Sequence, residues 1–332
     1  MRRLFYIFSA LTLWVNIVGC VRDGSYKRYE GAVWNTTFHI TYNSPRLLDD
    51  SMQTVMSRVE LSLSPFCDSS LVSDINACRS MVTDSLFRRV FTTALQVSRV
   101  SGGLYDPTVG PLVELWGFGR NKGVEEPSQR QIDSARMSVG IARCRLDGGL
   151  VVKPSPATYF DFSSITKGYG CDLIGEMLRR NGCGDYMVEI GGEMALSGTN
   201  PRGEKWRVMV EAPVDDDTTQ TRRRMTVIEV TDCGVATSGN YRNYRDFDSG
   251  RKGHTISPLT GRPVKSNTLS ATVIAPDAMT ADALATACMA MDIDEALAMV
   301  EAWEGAEAML VTVGDDGGWL MRTTAGFPEL KD

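Results

Sequence analysis

Four β-rich segments, at residues 186–190, 206–210, 225–230 and 269–274, follow one another without a helix between each pair. A doubly wound parallel sheet needs a helical crossover between its strands. The order therefore points to an α+β fold of mostly antiparallel sheet with packed helices. Upstream, residues 32–42 have β-rich character and read as a first strand. Met52, Val55, Met56, Val59 and Leu63 recur at helical spacing. A second helix runs from about Asp84 through Leu86, Val90, Ala94 and Val97, and Gly102-Gly103 stops it. A third helix is predicted from Ser128, a short strand at 150–153 and another helix over 168–180. The C-terminal part repeats the alternation, with helices near 281–291 and 295–303 and strands at 308–313 and 319–323.

The first residues read as an address. Met1-Arg2-Arg3 supplies positive charge, and residues 4–18 form an apolar run broken only by Ser9, Thr12 and Asn16. The run is short for a bilayer of ~30 Å and fits the apolar region of a signal peptide. It ends in Ile17-Val18-Gly19-Cys20, which resembles a bacterial lipobox, so residues 1–19 are expected to be removed and Cys20 lipidated. Cleavage takes Arg2 and Arg3 with it and moves the formal charge from −6 to −8. Residues 20–30 would then be the lipidated cysteine and a polar tether, and 31–332 the folded domain. The expected location is the inner membrane, facing the periplasm through a lipid anchor.

A net charge of −6 gives no basic stripe for nucleic acid. Two histidines cannot build a histidine-rich metal site, so any metal is expected on oxygen ligands. The cysteines after Cys20 number seven, without C-x-x-C or regular spacing. They are expected to be mostly small buried apolar residues and not a disulfide framework.

Four segments carry chemistry. In 280–286 (T-A-D-A-L-A-T), a helix would set Asp282 and Thr286 one turn apart on a single face. Two hard oxygens there suit Mg²⁺, and the helix start would offer N–H groups to a phosphate. Asp282 would equally serve as the cap of a buried helix. In 161–169 (D-F-S-S-I-T-K-G-Y), Asp161 can accept from a ring N–H and Lys167 supplies charge; the same stretch would also make a plain loop-to-helix junction. The glycines of 101–112 and of Ile190-Gly191-Gly192-Glu193 would let backbone approach a flat ligand. Finally, Thr237-Ser238-Gly239-Asn240-Tyr241-Arg242 precedes a loop at 254–263, where His254 is a candidate base or phosphate contact. His39 reads as structural. The triplets at 215–217 (acidic) and 222–224 (basic) read as a solvated hairpin tip.

Together and in this order, these segments resemble the bacterial FAD:protein FMN transferase family (ApbE-type flavin transferases, formerly labelled thiamine-biosynthesis lipoproteins). Five motifs carry the resemblance: Y-D-P-T-V-G-P-L, D-x-x-x-I-x-K-G-Y, I-G-G-E, T-S-G-N-Y-R with H-x-I-x-P-x-T-G-x-P, and T-A-D-A-L-A-T. It implies two lobes with FAD in the cleft between them. It further implies Mg²⁺ on the pyrophosphate, and transfer of FMN to a Ser or Thr hydroxyl of an exported or membrane-bound redox protein, with release of AMP. By resemblance, Asp282 and Thr286 are Mg²⁺ ligands, with Ser164 contributing its carbonyl. Leu104, Tyr105, Asp106, Asp161, Lys167 and Ile256 line the FAD site. Trp34 stands where the family usually has methionine, and Phe66 lies in a segment that often sets an aromatic against the flavin. Departures are Asn35 for a usual glycine, Ser163-Ser164 for Gly-Gly, Ser257 for aspartate, and Ala285 where some members place a further carboxylate on the metal. A Mg²⁺-dependent FAD pyrophosphatase giving FMN and AMP is the alternative at the same site. A non-catalytic FAD-binding lipoprotein is the alternative from another class.

Overall fold

The computed structural model describes residues 26–119, 125–213, 224–239, 244–247, 250–264, 266–314 and 318–331. The N-terminal β-rich run folds as a hairpin and not as one strand over 32–42. Strand β1 (Tyr26–Val33) pairs antiparallel with β2 (Thr36–Asn43), and Val33 stands opposite Thr36. Trp34 and Asn35 form the two-residue turn, both at positive φ, 48° and 61°. Such turns match the twist of the flanking strands and favour asparagine over bulkier residues. The domain also begins earlier than residue 31. The Tyr26 hydroxyl donates to the carbonyls of Thr199 and Asn200 at 2.8 and 3.1 Å, and its ring meets Trp206 edge-on. These contacts tie the second half of the expected tether into the fold. The expected signal peptide and Cys20 lie outside the described residues.

Downstream, the small pair β3 (Arg145–Asp147) and β4 (Leu150–Val152) precedes β5 (Tyr186–Ile190) and β6 (Glu193–Ser197). Then come β7 (Trp206–Glu211), β8 (Arg224–Val230), β9 (Cys233–Gly239), β10 (Tyr244–Phe247), β11 (Gly250–Gly253), β12 (Thr268–Ala275), β13 (Glu307–Val313) and β14 (Trp319–Thr323). Eight of these make one sheet in the order β1-β2-β5-β6-β9-β12-β13-β14. Every neighbouring pair in it is antiparallel, as the helix-free succession of strands predicts. The acidic triplet and Arg222-Arg223 between β7 and β8 fall outside the described residues. Of the seven cysteines, all free, Cys144, Cys171, Cys183 and Cys288 are buried.

The helices are α1 (Asp49–Leu63), α2 (Leu71–Asn76), α3 (Ser85–Val100), α4 (Gly110–Leu115), α5 (Gln129–Arg136), α6 (Thr166–Arg180), α7 (Ala278–Met289) and α8 (Ile293–Glu301). Asp84 caps α3 through the Phe87 N–H, and Ser128 with Gln131 forms a reciprocal capping box on α5. Helix α7 is buried nearly all round, as an Ala-rich helix without a polar face must be. Its small residues let neighbours come close. A Cβ on Gly168 of α6 would lie 2.1 Å from the Ala278 carbonyl oxygen, and one on Gly234 of β9 would lie 2.2 Å from the Ala278 nitrogen. These two glycines fix α7 against both α6 and the sheet.

Candidate active site

Helices α6 and α7 cap each other. Ile165, before α6, offers no side-chain cap, and the Gly168 N–H donates instead to Asp282 Oδ2 of α7 at 3.1 Å. In return, Asp172 of α6 accepts from the Ala278 and Met279 N–H groups, each at 2.8 Å. The Thr280 N–H donates to Asp277 at 2.7 Å. The N–H groups of the first three helical residues, Ala278, Met279 and Thr280, are therefore taken. This corrects the expectation that the start of α7 receives a phosphate.

Asp282 is 3% exposed. Burial pushes its carboxyl above the ordinary value, held back by the Lys167 charge and the Gly168 N–H. The Lys167 ammonium pairs with Glu193 Oε1 at 2.6 Å. Burial pulls that ammonium down, but the Glu193 and Asp282 charges more than offset it and its pKa ends raised. Glu193 is itself buried. Burial and the Asp282 charge raise its pKa, and its Oε2 has no hydrogen-bond partner. A lysine thus lies among two buried carboxylates that both feel it.

The oxygens around Asp282 fit a hard cation. Its carboxylate receives one backbone N–H and makes no ion pair among the described residues. Thr286 lies one turn further on, its hydroxyl 3.4 Å from that of Ser238. Ser164 stands on the turn before α6, its hydroxyl donating to the Tyr105 oxygen at 3.1 Å. Mg²⁺ commonly takes one or two carboxylates and fills the rest with water and phosphate. No cluster of three or more His, Cys, Asp or Glu side chains that could hold a metal is found among the described residues, so a cation here would take its remaining ligands from water or phosphate. Ala285 adds nothing to it, because its methyl is buried in the core.

The other expected residues divide between two cavities. One of about 650 Å³ is bordered by Leu104, Tyr105, Asp106, Asp161, Ser164, His254, Ile256 and Thr286. The other, about 560 Å³, is bordered by Trp34, Asn35, Phe66 and Lys167. Ser163 borders both, so the turn before α6 is where they meet. Trp34 packs where Gly170 leaves room; a Cβ there would lie 2.5 Å from the indole. The indole N–H is buried without a partner, while Phe66 is 67% exposed.

Not every expected residue offers its side chain to the cavity. Asp106 accepts from the Thr108 N–H and hydroxyl at 2.8 and 2.6 Å and from the Ile141 N–H at 2.9 Å. Its carboxylate pins the loop, and burial still raises its pKa. Asp161 Oδ1 accepts from the Ser163 N–H and hydroxyl at 2.9 and 2.5 Å. Burial pushes the Tyr105 hydroxyl far up, so it stays protonated. His254 faces the first cavity with its ring 6.4 Å from Phe118. His39 pairs with Glu189 across β2 and β5 at 2.7 Å and borders neither cavity, consistent with its structural reading.

The glycines of the I-G-G-E segment turn β5 into β6, at φ 66° and 107°, instead of facing a flat ligand. Thr237, Ser238 and Gly239 belong to β9, whereas Asn240, Tyr241 and Arg242 lie outside the described residues. Three residues at the site were not singled out by sequence reasoning: Asp172, Glu193 for its charge, and Arg245. Arg245 also borders the first cavity and donates to the Gly117 carbonyl at 2.9 Å. Only Glu193 gave a signal, as the acid that ends a double-glycine turn.

An antiparallel sheet with packed helices thus carries a charged helix junction beside two adjoining cavities. The chain belongs to the ApbE family, whose match spans residues 34–310. It is 35% identical over 327 residues to the FAD:protein FMN transferase of Vibrio cholerae, covering 96% of each chain. Against the FAD:protein FMN transferase of Escherichia coli K12 it is 33% identical over 278 residues, covering 81% of this chain and 78% of the relative. The structure is similar to the flavin transferase ApbE of Vibrio cholerae at a TM-score of 0.80 and 31% identity, covering 92% of this chain and 98% of that one. The apo flavinyl transferase ApbE of Pseudomonas stutzeri matches at 0.81 and 30%, covering 92% and 96%.

Proposed function

We propose that this chain is a Mg²⁺-dependent FAD:protein FMN transferase that moves FMN onto a Ser or Thr hydroxyl of an exported redox protein and releases AMP. The observation that carries the reading is Asp282, a buried carboxylate with acceptor capacity to spare. It sits beside Thr286, which borders one cavity, and Lys167, which borders the other. The names and extent of the relatives support the same reaction.

In the transfer, the acceptor oxygen forms a bond to the FMN phosphorus as that phosphorus loses its bridging oxygen. AMP leaves with the bridging oxygen, and the hydroxyl proton passes to His254. Trp34, Asn35 and Phe66 give the second cavity an aromatic wall suited to the flavin ring. Leu104, Tyr105, Asp106, Asp161 and Ile256 shape the first cavity for the other end of FAD. Asp282, Thr286 and the Ser164 carbonyl would hold Mg²⁺, which when bound offsets phosphate charge and stabilises the leaving AMP phosphate. Lys167 adds a fixed positive charge at the junction.

The cell-side reading follows from the first twenty residues. Lipidated Cys20 anchors the domain to the periplasmic face of the inner membrane, where exported acceptors pass. Cys20→Ser should release the protein from the membrane fraction; retention there would contradict the anchor.

The test of the reaction is incubation of the chain with FAD, Mg²⁺ and a threonine-bearing acceptor domain, followed by chromatography for AMP, FMN and fluorescent acceptor. AMP with flavin on the acceptor supports transfer. AMP with free FMN in the absence of acceptor identifies water as the nucleophile and makes the chain a pyrophosphatase. No AMP under either condition overturns catalysis and leaves a flavin binder.

A further inference from the structure

Lys167 has two carboxylates within electrostatic reach and pairs with only one. Its ammonium lies 2.6 Å from Glu193, and Asp282 raises its pKa without forming an ion pair. The β5–β6 turn is shaped around this lysine. Gly191 sits at φ 66°, and a Cβ there would lie 3.3 Å from the Lys167 Cδ and 3.0 Å from the Thr36 side chain. The turn also brings Glu193 into the interior at 4% exposure, with Oε2 unpartnered. Burying a second carboxylate beside Asp282 costs stability through both desolvation and like-charge repulsion. Glu189 reinforces the shape by accepting from the Gly192 N–H at 2.6 Å.

We propose that Glu193 is a positioning residue that holds the Lys167 ammonium away from Asp282, so that Asp282 stays available to a divalent cation. The inference rests on the reading of Asp282 and Thr286 as the metal site. Without Glu193, Lys167 has one buried carboxylate left, and pairing with Asp282 fills the place a cation would take. A resident lysine bound there competes with the metal at every metal concentration. The I-G-G-E segment then acts as a holder for the lysine of K-G-Y.

The test is Mn²⁺ binding to the full chain without FAD, read by the loss of the free-ion electron paramagnetic resonance signal. Thermal unfolding establishes that each variant is folded. Asp282→Ala reports on the metal site itself: Mn²⁺ binding equal to wild type in this variant means that the metal-site reading fails. If Asp282→Ala loses binding, Glu193→Gln is expected to weaken Mn²⁺ by about tenfold or more, as a buried charge pair in competition would. The double variant Glu193→Gln/Lys167→Met should return to within about threefold of wild type, because the competitor is gone. A Glu193 that ligated the metal directly, or merely held the turn, would give no such rescue, and that outcome overturns the proposal. Wild-type affinity in Glu193→Gln also overturns it. Lys167→Met alone keeps the test open should Glu193→Gln unfold: it is expected to bind Mn²⁺ at least as tightly as wild type, and weaker binding contradicts the proposal.

Discussion

Asp172 and Asp282 sit on the same pair of helices, each reaching across to cap the other helix, and the protein uses them differently. Asp172 receives two backbone N–H groups at 2.8 Å, one on each oxygen. Asp282 receives one at 3.1 Å on Oδ2, and its nearest cation is held by another acid. Both carboxyls are raised by burial. Burial is incompletely offset for both, but Asp172 gives each of its oxygens to a helix N–H, whereas Asp282 gives only Oδ2 and keeps more acceptor capacity for a ligand. The contrast between the two caps predicts which loss is chemical and which is structural.

The largest effect is expected from Asp282→Ala. Losing the carboxylate proposed to anchor the metal should lower turnover by about 1,000-fold, on the scale of several kcal/mol of charge stabilisation. Stability should move by only about 1 kcal/mol, because one N–H cap is lost while a buried like charge beside Glu193 is removed. Steady-state AMP release and denaturant unfolding on the same preparation separate the two numbers.

Asp172→Ala should show the reverse. Two buried N–H groups lose their acceptor at about 1–2 kcal/mol each, so unfolding free energy should fall by about 2–4 kcal/mol. The folded fraction should keep turnover within about tenfold of wild type. An Asp172 variant that unfolds normally but has lost turnover would dissolve the contrast.

Gly168→Ala strikes both caps at once, since its Cβ would approach the Ala278 oxygen to 2.1 Å and the Asp282 Cβ to 2.9 Å. Spreading α6 from α7 should cost about 1–3 kcal/mol of stability and lower turnover together with it. Equal stability in urea titrations would mean that the helices are less tightly set than the structure shows.

A further effect is on pH. The Asp172 carboxyl is pushed from 3.8 up to about 8 by burial and by the Asp277 charge, against the pull of its two N–H donors. The folded chain therefore holds this proton more tightly than the unfolded chain. The stability Asp172 contributes is full below pH 3.8 and is lost progressively as pH rises toward about 8. Its opening to a polar cavity with Arg89 and Arg179 reduces the size of the effect. Asp172→Asn should flatten the fall over that range in thermal unfolding; an unchanged slope would show that the folded and unfolded chains bind this proton alike.

Much of this was legible in the sequence because it is local. The 3.6 periodicity and caps mark α3 and α5, and the strand succession gives an antiparallel sheet. Asp282 and Thr286 share a helix face by spacing alone. What stayed hidden depends on distant partners. Asp172 gains its role only when α7 arrives from 106 residues away. The Glu193 charge matters only once Lys167 meets it. Strand β9 reads C-G-V-A-T-S-G, with little of the bulky alternation that marks a strand, because α7 packs so close that Gly234 has no room for a side chain. The hairpin at Trp34-Asn35 was hidden for the opposite reason, since β-prone residues continue through the turn.

The most direct test of the central contrast is AMP release from FAD, in the presence of acceptor and Mg²⁺, by Asp282→Asn and Asp172→Asn at equal folded concentration. Near-wild-type release is expected from Asp172→Asn and almost none from Asp282→Asn. Equal rates from the two variants, or release by Asp282→Asn at the wild-type rate, would contradict the contrast.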